Sequence, residues 1–373
     1  MTGLYIHIPF CISKCRYCDF YRLAPGRREE VELFIQCLET ELKRLPADFA
    51  PESVFLGGGT PTALEPGQLA EVLDCIGRTI DLSQVSEFSS EANPGTLSPE
   101  KLSVLRGGGV NRVSIGVQSF NDEALRLLGR AHSSREAMEA FGLLRDAGFE
   151  NVNLDLIQSI PGMGLEATLE DVRTAVGLEP EHLSCYNLSY EPGTPLADDL
   201  EAGRVATPGD DEEADTYFAV KDLLEESGYE HYEISNFCKP GRECRHNLLY
   251  WQGGEYLGCG PSAHSHWKGA RFGNADNLQD YCNLLLEGKP PFGEKERLLP
   301  EEKARETLVM GLRLIRGVDR AAFCRQTGFD VDVLCGEVLA ELIAEGLIER
   351  FGNQLHLTPN ALFVSNSVFS ELV

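Results

Sequence analysis

From Met1 to about Tyr190, short β-rich runs alternate with longer amphipathic runs. The alternation predicts strands at Leu4–Ile8, Ser53–Leu56, Glu87–Glu91, Arg112–Val117, Val152–Ile157 and His182–Leu188. Between the first two, Glu30–Leu45 places Val31, Phe34, Ile35, Leu38, Leu42 and Leu45 on one face of a helix. Repeated β-α units predict an α/β fold: a parallel sheet with right-handed crossovers, curled into a partial (β/α)6 TIM-like barrel. Parallel barrels place their chemistry on the loops that follow the carboxyl ends of the strands.

After Tyr190 the pattern loosens. Asp210, Asp211, Glu212 and Glu213 open a predicted helix that runs to about Glu226, their charge suiting a helix N-terminus. The breaker-rich Gly288-Lys289-Pro290-Pro291 predicts a boundary. Beyond it, helices at Glu301–Ile315 and Asp332–Ala344 precede a hairpin, Leu347–Arg350 with Gln354–Leu357 across Gly352-Asn353. Helices followed by a hairpin predict a small C-terminal winged-helix-like domain. The chain thus divides into a core at 1–190, an extension of it at 191–287 and a C-terminal domain at 288–373.

Charge narrows the partners. A net charge of −26 over 373 residues repels a nucleic-acid backbone, so the C-terminal module is expected to pack or dock against protein rather than DNA. No apolar run has membrane-spanning length, and the N-terminus enters the first strand at once, which places the protein in the cytoplasm. There the 12 cysteines are expected as thiols rather than disulfides. Cys37, Cys75, Cys282, Cys324 and Cys335 fall in helical patterns and read as small buried hydrophobes. Cys185, Cys238, Cys244 and Cys259 lie elsewhere, the last three around a second informative stretch.

The first informative stretch follows the first strand. Cys11, Cys15 and Cys18 stand at CxxxCxxC spacing, and no second knuckle supplies the fourth ligand that a zinc site wants. Three thiolates suit a [4Fe–4S] cluster whose fourth iron stays open to a substrate or cofactor. Polar residues gather at the same predicted mouth: Gly57-Gly58-Gly59-Thr60-Pro61-Thr62 after the second strand, Glu91 ending the third, Gln118 after the fourth and Asp155 within the fifth. An unpaired carboxylate inside a barrel is costly and needs a reason.

With its lead-in Tyr5-Ile6-His7-Ile8-Pro9-Phe10, the cysteine loop resembles the signature of the radical S-adenosylmethionine (SAM) enzymes. The resemblance implies a cluster on Cys11, Cys15 and Cys18 whose open iron chelates SAM. It also implies a SAM site lined by Tyr5, Gly58, Gly59, Thr60, Glu91, Gln118, Arg130 and Asp155.

The second stretch runs from Tyr229 to Trp267 and contains His246-Asn247-Leu248-Leu249-Tyr250-Trp251. An imidazole, an amide, a phenol and an indole so close together can offer a porphyrin one axial nitrogen and flat surfaces. The six residues match the HNxxYW motif of the heme chaperones in the oxygen-independent coproporphyrinogen oxidase-like branch. With GGGTPT, SEANP and GVQSF, the resemblance covers nearly the whole chain. It implies heme held by His246, Asn247, Tyr250 and Trp251, with His246 the axial candidate and His7, His264 and His266 behind it. Implied partners are heme donors and acceptors such as respiratory heme proteins; a transient contact at the membrane side and a homodimer are compatible with the reading.

The alternative is the oxidase itself, in which SAM cleavage yields a radical that drives oxidative decarboxylation of coproporphyrinogen III. Two departures favour the chaperone. The oxidase pattern continues CxxxCxxCxC, whereas Asp19 and Phe20 follow Cys18 here, and only ten residues precede Cys11. A radical SAM methyltransferase or heme-ring-opening relative would share the front half of the chain. No residue is assigned a catalytic role.

Overall fold

Side chains along the predicted strands alternate in a way that parallel sheets seldom show. Leu4, Ile6, Ile8, Val54, Leu56, Val113, Ile115, Val117, Val152 and Leu154 are fully buried. Between them stand Tyr5, His7, Phe55, Ser114, Gly116, Asn153 and Asp155. A parallel sheet covered on both faces reads as continuous apolar runs, so alternation means that one face meets helices while the other encloses polar space.

The computed structural model, which describes residues 1–24 and 27–373, folds accordingly. Strands β1 (Thr2–Ile8), β2 (Ser53–Gly58), β3 (Glu87–Ala92), β4 (Arg112–Gln118), β5 (Val152–Gln158) and β6 (His182–Asn187) lie side by side in chain order, all parallel. Five extend slightly past the windows read from the sequence; β6 stops one residue short of Leu188.

The sheet does not end there. β7 (Glu230–Glu233) and β8 (Asn236–Cys238) add antiparallel to β6. On the other side β9 (Glu255–Cys259) pairs parallel with β1, followed by antiparallel β10 (His264–Trp267) and β11 (Ala270–Gly273). The order of the 11-stranded sheet is β11-β10-β9-β1-β2-β3-β4-β5-β6-β8-β7. Residues far along the chain therefore complete the wall beside β1.

The outer face buries its apolar residues under helices Arg28–Leu42, Pro66–Thr79, Pro99–Gly107 and Ser134–Asp146, with Phe34, Leu38, Val72, Ile76, Leu105 and Leu144 at the contact. The first of these starts two residues before Glu30 and ends at Leu42, leaving Leu45 packed on the core from a turn. A second core joins Leu308, Leu312, Phe323, Leu334, Leu339, Leu355 and Leu357 to Tyr217 and Ile234. It carries a three-stranded sheet in which β12 (Val318–Asp319) and β13 (Ile348–Phe351) flank β14 (Gln354–Leu357). Four of the five helical cysteines are buried as expected, but Cys324 is exposed: helix Arg320–Thr327 buries only Phe323.

Candidate functional site

At the carboxyl ends of the strands a cavity of about 680 Å3 opens. Its lining brings together Cys11, Cys15, Cys18, Gly58, Gly59, Thr60, Glu91, Gln118, Arg130, Asp155 and, from below, Asn247. Tyr5, His246, Tyr250 and Trp251 lie outside that lining.

Backbone hydrogen bonds dock the cysteine loop. Gly59 N donates to Ile8 O (2.8 Å) and Thr60 N to Phe10 O (2.7 Å); Leu23 N donates to Pro9 O (2.6 Å) and Cys11 N to Leu23 O (2.9 Å). The glycines serve this docking. A Cβ on Gly59 would sit 2.6 Å from Phe10 O and 2.8 Å from Ile8 O, and Gly58 holds φ at 104° with the His7 ring against it. The close approach that these residues permit is thus to the thiol loop itself.

Polar groups secure the loop from both sides. Arg22 donates to the carbonyls of Cys18 (2.7 Å) and Cys15 (3.3 Å), Arg130 to the Cys15 Sγ (3.1 Å) and to Gly116 O (2.6 Å). Asn93 bridges the glycine turn to Arg130, donating to Thr60 Oγ1 (2.6 Å) and accepting from Arg130. Sequence reasoning missed Arg22 and passed over Asn93, although one lies four residues after Cys18 and the other inside SEANP. Gln118 sits at φ 71°, where β4 slips register against β5, a strained conformation that turns the chain end into the mouth.

Two acids occupy the interior. Burial, reinforced by Asp155, pushes Glu91 up to about 8. Burial also raises Asp155, opposed by hydrogen bonds from Asn153 (2.7 Å) and Ser114 (3.1 Å). Among the described residues no three His, Cys, Asp or Glu side chains are drawn together as a closed metal site; the three half-buried thiols share one wall. The donor set nevertheless fits an iron–sulfur cluster and an anionic ligand. Three soft sulfur donors are held on a docked loop, and the buried Nε atoms of Arg22, Arg112 and Arg130 have no hydrogen-bond partner among the described residues.

The amino ends of the strands are closed by helix Arg245–Trp251. Glu87, the first residue of β3, accepts the backbone N–H of Arg245 (2.9 Å) and His246 (3.1 Å), a carboxylate at the positive end of the helix. His246 is 1% exposed, and both ring nitrogens are engaged, Nδ1 with Ser53 Oγ and Nε2 with Tyr250 Oη, each at 2.9 Å. Its ring stacks on Phe55 at 5.2 Å, and burial, with Arg112 nearby, lowers it to about 3. The nitrogen read from the sequence as an axial donor is therefore occupied in holding Tyr250 and the barrel floor. Trp251 packs under the Arg313 guanidinium, 4.3 Å from its ring centre.

A hydrogen-bonded path links this floor to Asp155 above. Asp155 accepts from Asn153, whose Oδ1 meets His182 Nδ1 (2.6 Å); His182 Nε2 meets Tyr232 Oη (2.8 Å), which accepts from Cys244 N (3.4 Å). Cys244 immediately precedes the helix.

A parallel half-barrel with three thiols at its mouth defines a radical SAM protein, and residues 5–175 match the model of the radical SAM superfamily, residues 298–364 that of the HemN C-terminal domain. Family membership implies a [4Fe–4S] cluster and SAM. The chain is 38% identical over 377 residues to the heme chaperone HemW of Bacillus subtilis, covering 100% of this chain and 99% of that one. It is 35% identical over 376 residues to HemW of Escherichia coli, covering 98% and 96%. A zebrafish mitochondrial protein, radical S-adenosyl methionine domain-containing protein 1, is 33% identical over 328 residues, covering 85% and 74%. The chain belongs to the HemW family. Its fold is shared by E. coli coproporphyrinogen III oxidase (HemN), with a TM-score of 0.86, 22% identity and coverage of 100% of this chain and 89% of that one. No helix among the described residues is long and apolar enough to cross a membrane.

Proposed function

We propose that the protein is a heme chaperone: it binds heme, passes it to acceptor proteins such as respiratory heme proteins, and carries a cluster on Cys11, Cys15 and Cys18 with exchangeable SAM. When bound, the cluster supplies an open iron and an electron. The chain supplies the surroundings. Gly58, Gly59 and Thr60 hold the loop, while Arg130 offers a cation beside Cys15. Glu91 and Asp155 present acceptors to ribose hydroxyls, and Gln118 completes the enclosure, while Tyr5, expected there from the sequence, lies outside it.

One observation carries this reading: the HNxxYW helix forms the partition between two spaces. Asn247 enters the thiol-lined cavity, while Tyr250, braced by His246, lines a second cleft with Tyr5. Heme handling then connects to the SAM site through the floor. His246 contributes by positioning Tyr250.

The test is an anaerobic reconstitution followed by heme titration. The parent is expected to bind heme and to form no decarboxylated porphyrinogen or 5′-deoxyadenosine when coproporphyrinogen III is added. His246→Ala is expected to weaken heme binding. Decarboxylated product from the parent, or a parent that takes no heme, would overturn the assignment in favour of the oxidase.

A further inference from the structure

We propose that Arg16 and Asp199 are positioning residues for the cluster: their ion pair fixes the Cys15–Cys18 half of the thiol loop to the segment that follows β6. This rests on the cluster reading above and adds to it two residues outside the donor set.

The two halves of the loop are held differently. Leu23 and the glycine turn hold the Cys11 half. The other half depends on Arg16, which lies between the end of helix Asp122–Leu128 and the start of helix Pro195–Glu201. Helix ends leave carbonyls and N–H groups without intrahelical partners, and Arg16 answers both kinds. Its backbone N–H donates to Leu128 O (2.9 Å) and its Nη1 to Leu127 O (3.3 Å), a cation at a helix C-terminus, while its carbonyl accepts the N–H of Leu196 (2.9 Å). Gly129, at φ 71°, makes the room: a Cβ there would stand 2.7 Å from Arg16 Cγ. The next residue, Arg130, donates to Cys15 Sγ (3.1 Å), so the turn on which Arg16 packs also aims a cation at the sulfur.

One bond of Arg16 is ionic and spans much of the chain. Its Nη2 donates to Asp199 Oδ2, and Arg204 Nε holds the other carboxylate oxygen at 2.6 Å. The helix that carries Asp199 is itself seated. Thr194 Oγ1 accepts Ala197 N (3.3 Å), and Leu196 is buried with Leu128, Ile160 and Met163 in a small core against which Tyr17 of the thiol loop also packs. Asp199 lies beyond residues 5–175, which match the superfamily model, so this support comes from the extension of the barrel. A half-exposed ion pair adds little to global stability. Here, however, it ends in the residue between Cys15 and Tyr17, so its loss is felt at the sulfurs before it is felt in the fold.

The experiment uses the full-length chain, reconstituted anaerobically with iron and sulfide. It follows release of iron to a ferrous chelator and the electron paramagnetic resonance signal of the reduced cluster. Arg16→Met and Asp199→Asn are each expected to release iron about tenfold faster than the parent and to broaden that signal. The double variant is expected to be no faster than either single one, since both remove the same contact. Arg16→Lys, which keeps the charge but not the planar fork, is expected to recover part of the loss. The Arg145–Glu181 pair, at the amino end of β5, serves as control: its side chains are 29% and 14% exposed against 34% and 13% for Arg16 and Asp199. Arg145→Met is expected to release iron at the parental rate. Parental release from both Arg16→Met and Asp199→Asn, or equally fast release from Arg145→Met, would overturn the clamp while leaving the cluster reading standing. A parent that incorporates no iron and sulfide would overturn both.

Discussion

At the amino end of the barrel, His246, Glu87, His182 and Asn153 spend their hydrogen-bonding capacity on one another and on the helix they hold. At the carboxyl end, three thiols stand apart and the buried Nε atoms of Arg22 and Arg130 lack hydrogen-bond partners among the described residues. Both ends are polar, yet at one the buried groups mostly answer one another, with Arg112 Nε and Trp251 Nε1 as exceptions, while the other is arranged for something the protein does not supply. Satisfied buried networks confer rigidity; unsatisfied ones mark where a ligand belongs.

The sharpest break falls at the open end. Replacing Cys11, Cys15 or Cys18 by Ala is expected to abolish incorporation of iron and acid-labile sulfide on anaerobic reconstitution, while the melting temperature of the unreconstituted chain stays nearly unchanged. At the closed end the order reverses, with stability lost first. Arg112, 2% exposed, sits among Glu87, Cys244 and Asp155. Arg112→Met should destabilise by roughly 3–5 kcal/mol in urea unfolding, because the acids are left buried without their cation.

The two ends also respond oppositely to pH. His246 is held neutral down to about 3, so below about 6.5 the unfolded chain takes up a proton that the folded chain refuses. Stability is therefore lost as pH falls, His246 contributing up to ~1.4 kcal/mol per pH unit beside the buried His132, His182 and His231, and His246→Phe should reduce that slope by its share while itself costing about 2 kcal/mol. Glu91 keeps its proton up to about 8, so the unliganded chain should lose stability as pH rises from about 4.5 to 8, and Glu91→Gln should reduce this limb, to which the buried Glu41 and Asp171 also contribute. Unfolding curves collected across pH would show both limbs. The smallest effect is expected far from either end: exposed Cys324→Ser should shift stability by less than about 0.5 kcal/mol.

Much of this contrast was legible in the chain. Strands β1, β2, β4 and β5 were readable because Val, Ile and Leu recur on every second residue, and the thiol loop because its spacing is local. The glycines after β2 were located, but their purpose emerged only from the backbone atoms of Ile8 and Phe10 above Gly59. The hydrogen-bond partners of His246 were not readable, since Ser53, which engages it, lies 193 residues away. The second cleft was invisible for the same reason: Phe20, Tyr250 and His264 become neighbours only when the short β9 slots in against β1, and a five-residue strand in a loosely patterned region gives little warning. Cys324 was misread because an amphipathic pattern assigns a face only if the helix is packed broadly, and this one touches its core at a single phenylalanine.

The docking of the cysteine loop at both margins has a kinetic corollary. With Pro9 and Cys11 stitched to Leu23, and Ile8 and Phe10 to the glycine turn, the backbone around the sulfurs is tied down by hydrogen bonds that do not involve iron. Loading then asks for rotation of three side chains rather than a search by a slack polymer. Amide protons at Cys11, Leu23, Gly59 and Thr60 should accordingly exchange with deuterium at similar rates before and after assembly, and uptake should follow the supply of iron and sulfide instead of a slow rearrangement of the chain.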